Sequence, residues 1–148
     1  MTKKLVAFLC FASVVVMLLG CSVSDTRYGE ETDWSGIVGS RPLIMRTEFD
    51  RYPADVEYIR LIWENPTDEN WSIGMAEGEF VLERLLNNTW RRVIFFEGSF
   101  TYGLDGVPAN GTTWQDIPIS RSFFPTLSAG TYRIIKDNVI SNTFTLTN

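Results

Sequence analysis

Histidine is absent from the 148 residues, and cysteine occurs only at Cys10 and Cys21. Without histidine the chain lacks the usual general base, the commonest zinc ligand and the side chain that titrates near neutral pH. Ser-His and Cys-His nucleophilic machinery is excluded with it. Carboxylate pairs are the remaining inexpensive catalytic device, and glycosidase chemistry needs two of them about 5 to 9 Å apart in a cleft. Glu79 and Glu83 alternate out of phase with Phe80 and Leu82, which puts both on a solvent face instead. Basic residues are also few: 13 Lys and Arg stand against 18 Asp and Glu, a net charge of −5. Such a surface disfavours nucleic acid and argues against basic-patch binding of anionic head groups. The turn Asp68-Glu69-Asn70 lacks the alternating oxygens and distal glutamate of a calcium loop. The composition therefore points to a protein that is not an enzyme and holds neither cofactor nor metal.

What is present begins with a long apolar run. Lys3 and Lys4 precede an unbroken hydrophobic stretch from Leu5 to Leu19, followed by Gly20, Cys21 and a polar segment. This is the charged, apolar and small-residue order of an export signal, and the run is shorter than the roughly 20 residues that span a bilayer. Leu18-Leu19-Gly20-Cys21 resembles the lipobox of bacterial lipoproteins. That resemblance implies removal of residues 1–20, a thioether-linked diacylglycerol on Cys21, and a mature chain held to the membrane through that lipid. Each buried methylene contributes about 0.8 kcal/mol, so two acyl chains give stable anchoring. Loss of Lys3 and Lys4 leaves 11 basic against 18 acidic residues. Cys10 leaves with the signal, and Cys21 alone cannot form an internal disulfide. Ser22 stands where an aspartate would retain an enterobacterial lipoprotein in the inner membrane, so the outer membrane stays open if the host has one.

Residues 21–39 are polar, with the acidic run Glu30-Glu31-Thr32-Asp33, and read as a tether. Trp34 either belongs to that tether or docks on the domain. Beyond it, no segment sustains a 3.6-residue apolar period. Short runs of β-branched and aromatic residues recur between turn signals, the pattern of an all-β sandwich of about seven strands. The expected strands are 43–49, 56–64, 79–86, 90–96, 113–119, 130–136 and 140–146. In the second, Ile59, Leu61 and Trp63 form an inward set, while Tyr58, Arg60, Ile62 and Glu64 fall on the opposite face. In the last, Ile140, Phe144 and Leu146 share the buried face and Ser141 the other. Asn87-Asn88 suits a tight hairpin.

Two segments carry a second resemblance. One runs Arg60-Leu61-Ile62-Trp63-Glu64-Asn65-Pro66-Thr67-Asp68-Glu69, then Glu79-Phe80-Val81-Leu82-Glu83-Arg84, then Asn88-Thr89-Trp90; the other is Leu127-Ser128-Ala129-Gly130-Thr131-Tyr132-Arg133-Ile134-Ile135-Lys136, closing with Phe144-Thr145-Leu146. Together they resemble the immunoglobulin-like domain of bacterial lipoproteins and surface proteins. The resemblance covers about residues 40–148 and implies an immunoglobulin-like antiparallel sandwich, with Trp63, Trp90, Gly130 and Tyr132 in structural roles. It departs at Ser128-Ala129, where the family usually shows a proline before the glycine. Leu127, Gly130 and Tyr132 also have the spacing of a tyrosine corner, with an ordinary core-edge tyrosine as the other reading.

Trp71, Tyr102 and Trp114 lie in or beside polar stretches and are either core packing or a ligand-binding face. The expectation is an extracytoplasmic, lipid-anchored, non-catalytic interaction domain whose partner is an envelope protein or a glycan. The alternative is an inhibitor of an envelope hydrolase, acting through an exposed loop at 97–111.

Overall fold

A computed structural model describes residues 28–32, 34, 38–75, 80–94, 103–120, 123–124 and 127–148. The signal segment, Cys21 and Tyr102 lie outside the described residues, as does Glu79.

The described residues form twelve strands and no helix: β1 Tyr28–Glu31, β2 Ile44–Thr47, β3 Arg51–Pro53, β4 Tyr58–Glu64, β5 Trp71–Gly74, β6 Val81–Leu86, β7 Thr89–Val93, β8 Leu104–Val107, β9 Thr112–Pro118, β10 Gly130–Lys136, β11 Val139–Ile140 and β12 Phe144–Thr147. A large sheet has the order β1-β7-β6-β10-β12-β3, with β11 continuing β10; a small sheet has the order β2-β4-β9; β5 pairs with β8. The expected all-β, immunoglobulin-like sandwich is present. Strand β10 has the expected bounds, and β4, β6, β7 and β9 lie within a residue or two of the starts expected for them. The extra strands are two to four residues long, too short to show a period of 2. One pair departs from the antiparallel expectation, since β12 runs parallel to β3.

Alternation makes the core. Ile59, Leu61 and Trp63 of β4 are fully buried and join Leu82, Tyr132, Ile134, Phe144 and Leu146 in one cluster. Burying an aromatic or aliphatic side chain of this size stabilises by about 1.5 to 3 kcal/mol. Trp63 Nε1 donates to Gln115 Oε1 at 3.2 Å, and Gln115 Nε2 donates onward to Gly74 O and Asp105 Oδ2. The indole is buried without an unpaired N–H, and the small sheet is tied to the β5–β8 pair. Two left-handed dipeptides close hairpins. Asn87 and Asn88 have φ of 49° and 62°, and Asp137 and Asn138 have 51° and 64°, the both-positive pattern that suits a twisted two-residue turn.

Three expectations need correction. The last strand is interrupted: Ser141 is buried, its Oγ accepts from Ile134 N at 3.0 Å and donates to Asn142 O at 2.7 Å, and Val139 rather than Ile140 is the buried residue of β11. A side chain substitutes for the ladder there, so the simple alternation breaks. Residues 28–31, inside the expected tether, form an edge strand on β7, with Tyr28 buried. Glu83, expected on a solvent face, is 0% exposed. Its carboxylate accepts from Arg133 Nε at 2.6 Å, from Trp34 Nε1 at 2.8 Å and from Thr32 Oγ1. Arg133 in turn lies over the Trp90 ring at 4.3 Å.

The N-terminal segment thus crosses the outer face of the large sheet. It enters on β1, is fastened at Glu83 through Thr32 and Trp34, and reaches the turn after β10, where Gly39 N donates to Asn138 O. Removing one partner of a buried pair leaves the other charge uncompensated, at a cost of about 3 to 5 kcal/mol. Glu83→Ala is expected to lower stability by about 3 kcal/mol or more in denaturant titration and to open residues 28–39 to protease before the rest of the chain.

Candidate functional site

The two layers present different outer faces. That of the large sheet is crossed by the N-terminal segment; that of the small sheet is bare among the described residues. On the bare face the residues of β2, β4 and β9 alternate with the buried ones. Ile44, Arg46 and Glu48 come from the β2 side, Tyr58, Arg60, Ile62 and Glu64 from β4, and Thr112, Trp114, Asp116 and Pro118 from β9. Register places Ile62 between Arg46 and Trp114, and Arg60 beside Asp116.

Trp114 is 58% exposed, Tyr58 57% and Ile44 50%, an unusual amount of apolar surface for one sheet face. The charges among them are paired. Arg60 donates to both oxygens of Asp116, at 2.8 and 3.0 Å, and lies within 3.9 Å of Glu48, while Arg46 Nε donates to Glu64 at 3.0 Å. The Arg60 guanidinium also stacks over the Trp114 ring at 4.2 Å. A planar cation on an indole face is favourable by about 0.5 to 1 kcal/mol at an exposed site. The stack biases the Trp114 ring toward Arg60 on the neighbouring strand.

The other residues singled out in the sequence are placed as follows. Trp63 is a buried hub, and Trp90 sits half-buried beneath Arg133. Tyr132 Oη donates to Ser128 O at 2.7 Å, four residues upstream, and the ring stacks on Phe144. A Cβ on Gly130 would approach Arg84 Nε to 2.7 Å, so a larger residue there requires the Arg84 guanidinium to shift. Trp71 is not on the bare face. It lies half-buried on β5 against the core, with Nε1 donating to Thr67 Oγ1 at 3.2 Å. Trp71 and Trp114 therefore do not form one ligand face, and Tyr102 lies outside the described residues. Of the expected loop at 97–111, residues 97–102 lie outside the described residues and Leu104–Val107 form strand β8.

Sequence reasoning missed two polar anchors. Asn65 is buried, and its Nδ2 donates to the carbonyls of Glu69, Val107 and Pro108 while its Oδ1 accepts from Thr67. The adjacent proline and acidic turn signalled a loop, but not the side chain that organises it. Lys136 is also buried, with Nζ donating to Met75 O at 2.9 Å. Its position at a strand end gave no such signal.

The two hydrogen bonds from Arg60 hold the Asp116 carboxyl below the ordinary value of 3.8, with Arg60's charge adding to the effect. A depressed folded-state pKa stabilises above the unfolded value, and the contribution is lost as pH falls through the folded one. In Arg60→Met the Asp116 titration followed by NMR is expected to move up toward 3.8, and the variant should lose less stability than the parent between about pH 5 and pH 2.

No curated protein and no solved structure matches the chain. A sequence profile described as a bacterial Ig-like domain matches residues 40–148, nearly all of the sandwich from β2 to β12. The chain belongs to the bacterial Ig-like domain family.

Proposed function

We propose that this protein is a lipid-anchored, extracytoplasmic interaction module that works without catalysis and meets its partner through the bare face of the small sheet. Domains of this family are generally binding modules at the cell surface, which supports the coarse reading. The observation that carries the finer one is the asymmetry of the sandwich. One outer face is crossed by the chain's own N-terminal segment, and the other leaves Trp114 exposed beneath Arg60. An aromatic and arginine cluster is the composition that concentrates binding energy at interfaces. The lipobox-like Leu18-Leu19-Gly20-Cys21 and the apolar run before it support anchoring at Cys21.

Cys21→Ser is expected to shift the protein from the membrane fraction to the soluble extracytoplasmic fraction, or to leave it as unprocessed precursor; unchanged size and fractionation would remove the anchoring reading. A photo-crosslinking amino acid in place of Trp114 in intact cells should yield a discrete adduct. The same residue in place of Ser72, exposed on β5, should not. Equal yields at the two positions would remove the binding face.

A further inference from the structure

The register of the small sheet sets its outer residues in three complete rows: Ile44, Glu64 and Thr112; Arg46, Ile62 and Trp114; Glu48, Arg60 and Asp116. The middle row carries apolar bulk. The rows flanking it place opposite charges at matching positions of β4, Glu64 on one side and Arg60 on the other. We infer that the occupant of this face is a second copy of the same chain, packed face to face about a two-fold axis that lies in the interface and runs across the strands over the middle row. The inference rests on the reading of the bare face as the interaction surface, and names what covers it.

Such an axis returns the middle row onto itself, Ile62 on Ile62 and Trp114 on Trp114, and lays each flanking row on the other. Glu64 of one copy meets Arg60 of the second, Thr112 meets Asp116, and Ile44 meets the stem of Glu48. A two-fold contact must be self-complementary in this sense, since the same patch serves both copies. Like charges meet only at Arg46, which is on an edge strand open to water and already paired with Glu64 at 3.0 Å. The alternative axis, along the strands, sets Glu64 on Glu64, Arg60 on Arg60 and Glu48 on Asp116. Like charges in register oppose association. Because the carboxylates and guanidiniums are paired within the face, it presents little net field to a strongly charged partner, which leaves self-matching as its most evident electrostatic feature.

The same axis suits a tethered chain. Strand β2 lies beside β11, and Thr47 N donates to Asn142 Oδ1 at 2.7 Å, so β2 is on the β12–β3 side of the sandwich. The opposite side holds β9 and the β1 edge. Rotation about an axis across the strands keeps both β1 edges on one side, where both N-termini reach one membrane. From Cys21 to Tyr28 the chain spans at most about 25 Å. A three-stranded face is small beside the roughly 800 Å² per partner of a standard interface. Association is therefore weak in dilute solution and is favoured where tethering keeps the local concentration high.

The test uses the full chain in its own membrane and a short thiol crosslinker that spans the roughly 10 Å between packed sheets. The natural cysteines are only Cys10 and Cys21, so new thiols are easily isolated. Ile62→Cys is expected to give crosslinked dimer. Arg60→Cys and Glu64→Cys are each expected to stay monomeric alone and to crosslink when the two variants are co-expressed. Ser72→Cys and the parent chain should stay monomeric. No dimer at position 62, or crosslinking of Arg60→Cys and Glu64→Cys alone as strongly as together, overturns the arrangement. With the photo-crosslinker at position 114, an adduct only to another protein or to glycan overturns the second copy while keeping the interaction face. Absence of any adduct overturns both.

Discussion

A carboxylate with no exposure on the outside of a sheet must be supplied with donors, because burying a bare charge costs several kcal/mol. Glu83 obtains them from three sources: Arg133 on the neighbouring strand, and Thr32 and Trp34 from the N-terminal segment. That requirement fastens Thr32 and Trp34 over the large sheet, beyond the edge strand β1. It also decides which face of the sandwich is covered. Among the described residues no such segment lies over the small sheet, and its outer residues stabilise one another by cross-strand ion pairs and by the Arg60–Trp114 stack. Which outer face stays exposed follows from where the described part of the N-terminal segment is laid.

The body of the domain contains no cysteine, so the two layers are joined without a covalent link. Trp63 and Gln115 perform part of that work. The indole is buried among the apolar residues of both sheets, and Gln115 passes its hydrogen bonding to the backbone of Gly74 and the carboxylate of Asp105. Tyr132, stacked on Phe144 and bonded to Ser128, closes the other side of the same core. Burial pushes its phenol above the ordinary tyrosine value, so the hydroxyl stays protonated and keeps donating.

Much of this was legible in the residues. Strand β10 and the inward set Ile59, Leu61 and Trp63 follow from a period of 2, and the Asn87-Asn88 hairpin follows from residues that tolerate positive φ. The failures share a cause, since alternation alone assigns polar residues to water. Glu83 and Lys136 are buried against partners distant in sequence, and Ser141 is buried by bonding back across a hairpin turn to Ile134. Strands of two to four residues, such as β1, β3 and β11, carry too few side chains to show any period. For the site, Trp114 was recognisable as an aromatic in a polar stretch, yet Trp71 looked the same in sequence. Only the register, which sets Trp114 opposite Ile62 and Trp71 opposite Val107, separates an exposed indole from one packed on the core.

The parallel pairing of β12 with β3 has a consequence for how the chain acquires its shape. Thr145 lies against Arg51 and Thr147 against Pro53, so β12 sits between β10 and a strand far earlier in the chain. Loop closure over so long a stretch is slow, and the large sheet is incomplete until β12 is in place. A chain in which β12 has not yet docked displays the unpaired edges of both β3 and β10, the kind of surface that invites aggregation.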